Sequence, residues 1–391
     1  MDQHTLEELR DFYHDFLLDN VVPYWGRHGL DVENGGFLNC MKDDGTRVTD
    51  DKLVMYQGRG LFTFSYLYNH FDKSEERLDF ITKTRDLLLS HGRDDKGDWV
   101  HKLGPSGEVR EGPKSLYTDM AVCYGLTEYY RATGDTESLD AARETAMRVA
   151  NRMDQTDFVA EDPMAFKRGY HNQGLQLLFI NALTPLLKET GDSELEEVIE
   201  RCLRLILDHH LDRNRKIIIE ILDKNFKVVD FPEGRDYLPG DGIEAGWIFM
   251  AEALRKEDEE LQETALTILD WHLDVGWDKE YDGIFWWLNI DGKTPHNENW
   301  SNKMWWCHTE SLIATSMAYE NTGAEYWFDW FRKVHHYAFR VFPDKENGEW
   351  RSKCDRKGNP IIATPPVPVK DNFRVLRSMM FVLGCLERVV G

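Results

Sequence analysis

Along most of the chain, apolar positions recur at intervals of three and four residues, the period of a helix with one buried face. Glu137–Met153 places Leu139, Ala142, Ala146, Val149 and Met153 on such a face. Leu195–His209 does the same with Leu195, Val198, Ile199, Cys202, Leu205 and Ile206. Alternation of period two is confined to short pieces, Ile217–Leu222 and Gly283–Asn289, which read as hairpins in loops. The glycines of Arg131-Ala132-Thr133-Gly134-Asp135, Lys188-Glu189-Thr190-Gly191-Asp192 and Glu320-Asn321-Thr322-Gly323-Ala324 each lie between two helical runs. That is where a helix C-cap in left-handed conformation belongs.

The pattern also repeats on a longer scale. Turns with an aromatic signature recur at Gly35-Gly36-Phe37, Gly97-Asp98-Trp99, Gly283-Ile284-Phe285 and Gly348-Glu349-Trp350. Gly36 and Gly97 are 61 residues apart, Gly283 and Gly348 are 65 apart, and Gly36 to Gly348 makes five steps of about 62. Two degenerate turns are then expected near Gln155 and Asn214. Six helix pairs with long, aromatic-rich loops predict an all-α (α/α)6 barrel with short β-hairpins in the loops. An open superhelix is the less economical arrangement, since six is a closing number. No linker or charge block interrupts the series, so residues 1–391 read as one domain.

Composition narrows the function. Lys and Arg number 47 against 70 Asp and Glu, a net charge of −23, and a field of that sign repels phosphate. Neither nucleic acid nor an anionic membrane is the expected partner, and no apolar run approaches the roughly 18–20 residues that cross a bilayer. The opening MDQHTLEELR lacks a basic start followed by an apolar stretch, and the six cysteines contain no CxxC pair. Both features suit reduced thiols in a cytoplasmic protein. Glycine clusters such as Gly58-Arg59-Gly60 lack the spacing of a nucleotide loop, so no cofactor is expected. There is no HExxH, and the one HxxE, His4…Glu7, lies away from the other candidates, so no metal is expected.

Chemistry is concentrated at helix starts. Tyr56-Gln57-Gly58-Arg59, Arg168-Gly169-Tyr170-His171-Asn172, Pro239-Gly240-Asp241-Gly242-Ile243-Glu244, Trp305-Trp306-Cys307-His308-Thr309-Glu310 and Asn372-Phe373-Arg374-Val375-Leu376-Arg377 each open an otherwise apolar helix. Acids, bases, Arg and Trp gathered in a cleft suit a sugar, whose C–H faces stack on aromatic rings while charged groups hold its hydroxyls. His171, Asp241, Glu244, His308 and Glu310 are the candidate catalytic residues. Arg59, Tyr117, Asn172, Trp306, Arg374 and Arg377 are the candidate substrate-binding residues. Arg59, His171, Asp241, Glu244, His308, Glu310 and Arg374 are expected at one mouth of the barrel. Taken singly, each has a plainer reading: Glu244 and Glu310 as acids favoured by a helix dipole, His171 and His308 as hydrogen-bonded packing residues. His209-His210 and His335-His336 read as packing or solvated residues.

The same residues carry a family resemblance. Gln57-Gly58-Arg59, Pro239-Gly240-x-x-Ile243-Glu244-Ala245-Gly246-Trp247, Trp305-Trp306-x-His308-x-Glu310, Tyr319…Thr322-Gly323 and Gly348-Glu349-Trp350 resemble the N-acylglucosamine 2-epimerase and cellobiose 2-epimerase family. The resemblance covers nearly the whole chain. It implies an (α/α)6 barrel that moves a proton at C2 of a reducing sugar, with two histidines as acid and base. One of these stands in a Pro-Gly-His pattern, the other in a Phe-His-Val-Pro-Arg pattern. Here the matching positions are Asp241 and Arg374. Arg keeps its proton and cannot act as a base; Asp can, from a pKa about 2.5 units below that of His unless burial raises it.

Three readings follow. The first is a sugar epimerase or isomerase in which His171 or His308 is the base, Asp241 or Glu244 its partner, and Arg59 polarises the carbonyl oxygen. The second is a glycoside hydrolase or lyase using Asp241 with Glu244 or Glu310. The third is a non-catalytic sugar-binding protein. The partner in each case is a small sugar, with a homodimer as the candidate assembly. Arg59, Arg374 and Arg168 oppose the dipoles of the helices they open, which predicts a preference for an anionic sugar between them. An internal pair of Arg374 with Asp241 is the alternative to that preference.

Overall fold

The computed structural model describes residues 3–152, 170–362 and 368–391. Its helices are α1 (Gln3–Asp15), α2 (Val22–His28), α3 (Val54–His70), α4 (Glu75–His91), α5 (Leu116–Thr133), α6 (Thr136–Arg152) and α7 (Gln173–Thr190). They continue as α8 (Ser193–Leu205), α9 (Pro239–Lys256), α10 (Glu259–Gly276), α11 (Trp305–Thr322), α12 (Glu325–Val341) and α13 (Arg374–Val390). The chain forms two compact units. The first comprises Met1–Tyr24, Leu205–Ala363 and Arg374–Gly391; the second comprises Trp25–Arg204 and Thr364–Phe373.

Within each unit, three helices pack in a row and further helices flank them. In the second unit α3 packs on α5 and α5 on α7, with α4 beside α3 and α6 beside α5. In the first unit α9 packs on α11 and α11 on α13, with α10 beside α9, α12 beside α11 and α1 beside α13. Side-chain patterns explain the division. Every residue of α5 from Thr118 to Tyr129 is buried, so the helix has no polar face to give to water. By contrast, α8 buries only the stripe Leu195, Val198, Ile199, Cys202 and Leu203. Gly58 lets α3 and α5 meet closely, since a Cβ there would stand 2.6 Å from the backbone of Ala121. The predicted C-caps hold: Gly134, Gly191 and Gly323 have φ of 75°, 64° and 64°.

The aromatic turns are one structure repeated, and each begins on an aspartate. Asp31, Asp94, Asp278 and Asp344 each accept backbone N–H groups of the turn on Oδ1, from Asn34 at 3.0 Å, Lys96 at 2.9 Å, Glu280 at 3.0 Å and Glu346 at 3.0 Å. Each also donates its own N–H across the turn, to Gly36, Asp98, Gly283 and Glu349. The paired residues are Phe37, Trp99, Ile284 and Trp350, so in the third turn Ile284, rather than Phe285, takes the aromatic position. The degenerate turn at Asn214 is present, with Asp212 Oδ1 accepting its N–H at 2.9 Å. The turn expected at Gln155 lies outside the described residues. Of the two strand-like pieces, Ile217–Leu222 forms two short strands, while Gly283–Asn289 forms one only at Leu288–Asn289. None of the described helices is long and apolar enough to cross a membrane. All six cysteines are buried and none is in a disulfide.

Candidate active site

The helix starts of the first unit bring together one constellation. Helix α9 begins with Pro239 at its first position, where a missing N–H costs nothing and φ is pre-set. Helix α11 begins directly after the two-residue strand Lys303–Met304, which pairs with Lys353–Cys354. Glu244 and Glu310 are each the sixth residue of their helix, and Arg374 and Arg377 lie one turn apart at the start of α13. Arg374 Nη1 donates to Glu310 Oε1 at 2.6 Å and to Glu244 Oε2 at 3.3 Å. Arg377 Nη2 donates to the same Glu310 oxygen and lies 3.7 Å from Glu244 Oε1. The other Glu310 oxygen accepts from Trp247 Nε1 at 3.0 Å. Trp306 lies 4.9 Å beneath the Arg374 guanidinium, and Trp247 lies 5.2 Å beneath that of Arg377.

Two guanidiniums and two carboxylates therefore balance within the protein. Burial pushes the Glu310 carboxyl up and Glu244 adds to the rise, while Arg377 and Arg374 pull the other way and three donors engage its two oxygens. Glu244 and Glu310 are thus internal partners of Arg374, and Arg374 also acts on the Asp241 carboxyl. For Arg374, Glu310 and Glu244 are negative groups already at hand, so its place at a helix start needs no anionic sugar to explain it. Arg168 lies outside the described residues. Glu310, expected to act as an acid or base, is fully buried and engaged on both oxygens, which makes it a holding residue.

Asp241 is of a different kind. It is half-buried as the third residue of α9. Burial, then Glu220 and Glu244, drive its carboxyl well above the ordinary carboxylate range; Arg374 pulls the other way and Glu310 adds to the rise. A carboxyl so placed carries a proton at pH values where a solvated aspartate has none. Cys307 is adjacent and fully buried, and burial pushes its thiol well up, so it stays neutral and is no nucleophile.

His308 does not serve as a base. Its ring is fully buried, with Nδ1 donating to Met304 O at 2.8 Å and Nε2 accepting the Ile284 N–H at 3.0 Å. Burial lowers its pKa to about 3, so the ring stays neutral with both nitrogens committed. The repeat explains the assignment. His308 is the fourth residue of α11 and Gln57 the fourth of α3, and Gln57 Oε1 accepts the Phe37 N–H at 2.6 Å from the equivalent turn.

The remaining candidates stand in the second unit. Arg59, sixth in α3, lies 3.9 Å from Asp371 and over the rings of Phe373 and Tyr56. Asn172 caps α7, its side chain accepting the Leu175 N–H at 3.1 Å, which is a structural task for a residue expected to bind substrate. His171, immediately before it, and Tyr117, second in α5, are half-buried. Among the described residues no group of three His, Cys, Asp or Glu side chains is arranged to hold a metal ion. Sequence reasoning missed Glu220, although a lone carboxylate inside Ile217-Ile218-Ile219-Glu220-Ile221-Leu222 was a signal: it is buried with its neighbours. Trp247 was seen only as part of a motif, with no hint of its bond to Glu310.

Comparison with solved structures defines the fold. A cellobiose 2-epimerase from Spirochaeta thermophila DSM 6192 superposes with a TM-score of 0.84 at 18% identity, over 99% of this chain and 98% of that one. A D-mannose isomerase superposes at 0.81 and 16% identity, over 96% and 97%. The fold is the all-α (α/α)6 barrel. Residues 35–373 match the family model of N-acylglucosamine 2-epimerase, and the chain belongs to that family. The N-acylglucosamine 2-epimerase of Mus musculus is 29% identical to it over 399 residues, covering 96% of this chain and 90% of that protein.

Proposed function

We propose that this protein is a sugar epimerase or isomerase that moves the proton at C2 of a reducing sugar, with Asp241 as a proton carrier. The observation that carries this reading is Asp241 itself: a carboxyl driven well above its usual range, at the position where the family pattern has Pro-Gly-His. Ionised Asp241 takes the C2 proton: the C–H bond breaks, an O–H bond forms, and the electron pair passes to the C1–C2 enediolate. Delivery of a proton to the opposite face of C2 gives the epimer; delivery to C1, with the O2 proton passing to O1, gives the ketose. A carboxylate of ordinary pKa is a weak base for such a step, and raising the pKa toward the working pH strengthens it. Arg374 stays protonated; together with Arg377 it answers Glu244 and Glu310.

On the sequence, Arg59 is the candidate to polarise the carbonyl oxygen, His171 the candidate base at C2 with Asp241 as its partner, and Tyr117 a candidate substrate-binding residue. A cytoplasmic setting suits six thiols outside any disulfide. The hydrolase reading loses one of its two acid–base pairs, because Glu310 is held by three donors. Incubation with neutral, N-acylated, phosphorylated and acidic sugars in D2O, followed by proton NMR, tests the proposal. Deuterium at C2 with appearance of a second sugar is expected; no wash-in from any sugar overturns it.

A further inference from the structure

The segment 370–373 is fastened to Asn39 and to α3. Lys370 N donates to Asn39 O at 2.8 Å, and Asn39 Nδ2 donates back to Lys370 O at 2.9 Å. Asn372 Nδ2 donates to Tyr56 O at 3.0 Å, and Thr63 Oγ1 donates to Asn372 O at 3.0 Å. Gly60 permits that approach, since a Cβ there would stand 2.3 Å from Asn372 Nδ2. Asp371 lies within this seam, its Oδ1 accepting the Phe373 N–H at 2.9 Å. Its Oδ2 stands 3.9 Å from Arg59 Nη1, too far for a hydrogen bond.

Arg59 and Asp371 are thereby held as an open pair. Their side chains are 15% and 7% exposed, yet among the described residues no hydrogen bond reaches the Arg59 guanidinium or Asp371 Oδ2. Phe373 and Tyr56 give the guanidinium ring faces, at 5.2 and 5.6 Å, rather than acceptor atoms. A charged donor and acceptor left unbonded under such burial are costly, and a closed Arg–carboxylate fork is the ordinary remedy. The pair is not closed, which leaves its donors and its acceptor to a ligand.

We propose that Asp371 is a further substrate-binding residue. With Arg59 it grips the C1–C2 end of the sugar, Arg59 donating to the carbonyl oxygen and Asp371 accepting the hydrogen of the C2 hydroxyl. The assignment rests on the reading of Arg59 as the group at the carbonyl oxygen. In an α-hydroxy carbonyl the two oxygens sit side by side on neighbouring carbons, one an acceptor and the other a donor. A guanidinium N–H and a carboxylate oxygen 3.9 Å apart match them in reverse, with room for a bond of about 2.8 Å to each. Cation and anion cancel within the pair, which suits a neutral sugar.

One analogue isolates the contact, because 2-deoxy-D-glucose is the C2-deoxy form of both D-glucose and D-mannose. Equilibrium binding of the three is measured by isothermal titration calorimetry. The unaltered protein should bind glucose or mannose about tenfold or more tighter than 2-deoxyglucose, as a hydrogen bond to a charged group gives. Asp371→Ala should weaken glucose and mannose and leave 2-deoxyglucose nearly unchanged, so that the preference falls to about twofold or less. Asp371→Asn keeps an acceptor oxygen and should hold an intermediate preference. A purely structural role weakens all three sugars together, and an undiminished preference in Asp371→Ala overturns the inference. So does equal binding, or none, of the three sugars by the unaltered protein, a result that needs no variant. If the preference collapses but no sugar takes up deuterium at C2, Asp371 still binds the hydroxyl and the epimerase reading fails. Deuterium uptake with an undiminished preference leaves that reading intact and removes Asp371 from it.

Discussion

Arg374 Nη1 lies 2.6 Å from Glu310 Oε1, so the cation at the family's second histidine position is committed to a buried carboxylate of the same chain. Removing one partner of a buried pair leaves the other charge uncompensated, at a cost of about 3–5 kcal/mol. Glu310→Gln, which takes from the fully buried Arg377 the carboxylate it hydrogen-bonds, should lose that much in denaturant unfolding. Glu244→Gln should lose closer to about 1 kcal/mol, since Glu244 keeps some exposure and its contacts are longer.

The same commitment sets sugar preference. Because Glu310 and Glu244 neutralise Arg374 and Arg377, an acidic sugar should show no advantage in kcat/KM over its neutral counterpart. The ratio between the two should change little with salt. A strong preference for the acidic sugar that fades as salt rises would show that an arginine is available to substrate after all.

His308 should be replaceable by the residue that performs its task in α3. His308→Gln offers Ile284 the acceptor that Gln57 offers Phe37, so folding and the pH profile should be retained. His308→Ala strands that buried N–H and should cost about 1–3 kcal/mol. Thermal unfolding and the pH dependence of exchange distinguish this from a base, whose removal would abolish one limb of the profile.

Much of this was legible in the sequence because it is periodic. The aromatic turns, the C-cap glycines and the family motifs recur at fixed spacing, and they were enough to set the helix pairs and to gather Asp241, Glu244, Glu310 and Arg374 as candidates. What stayed hidden depends on which atoms meet. Both His308 and Glu310 open a helix within one motif, and only their partners reveal that neither has an atom to spare for substrate. The turn aspartates Asp31, Asp94, Asp278 and Asp344 were in plain view, but a short polar residue in a loop has many explanations. Glu220 lay within a run read only as a strand.

One of those aspartates gives the fold an acid-sensitive joint. Burial disfavours the charged form of Asp278, but Arg356 at 2.8 Å, the Glu280 N–H and Lys303 at 3.1 Å outweigh it and hold the carboxyl down to about 2. A carboxyl lowered on folding stabilises above its unfolded pKa near 4, and that contribution is lost as pH falls through the folded value. Asp278→Asn should therefore cost about 2 kcal/mol at neutral pH. The difference from the unaltered protein should close between about pH 4 and pH 2, as read by denaturant unfolding across that window.

Whether Asp241 carries the proton is decided by the rate of C2 exchange in D2O, measured for Asp241→Asn beside the unaltered protein. Asparagine keeps the size of the side chain and cannot carry the proton. The unaltered protein should wash deuterium into C2 of its sugar, and the variant should do so about 10²–10⁴-fold more slowly, with its fold intact. Exchange at an undiminished rate in Asp241→Asn would contradict the role assigned to this carboxyl.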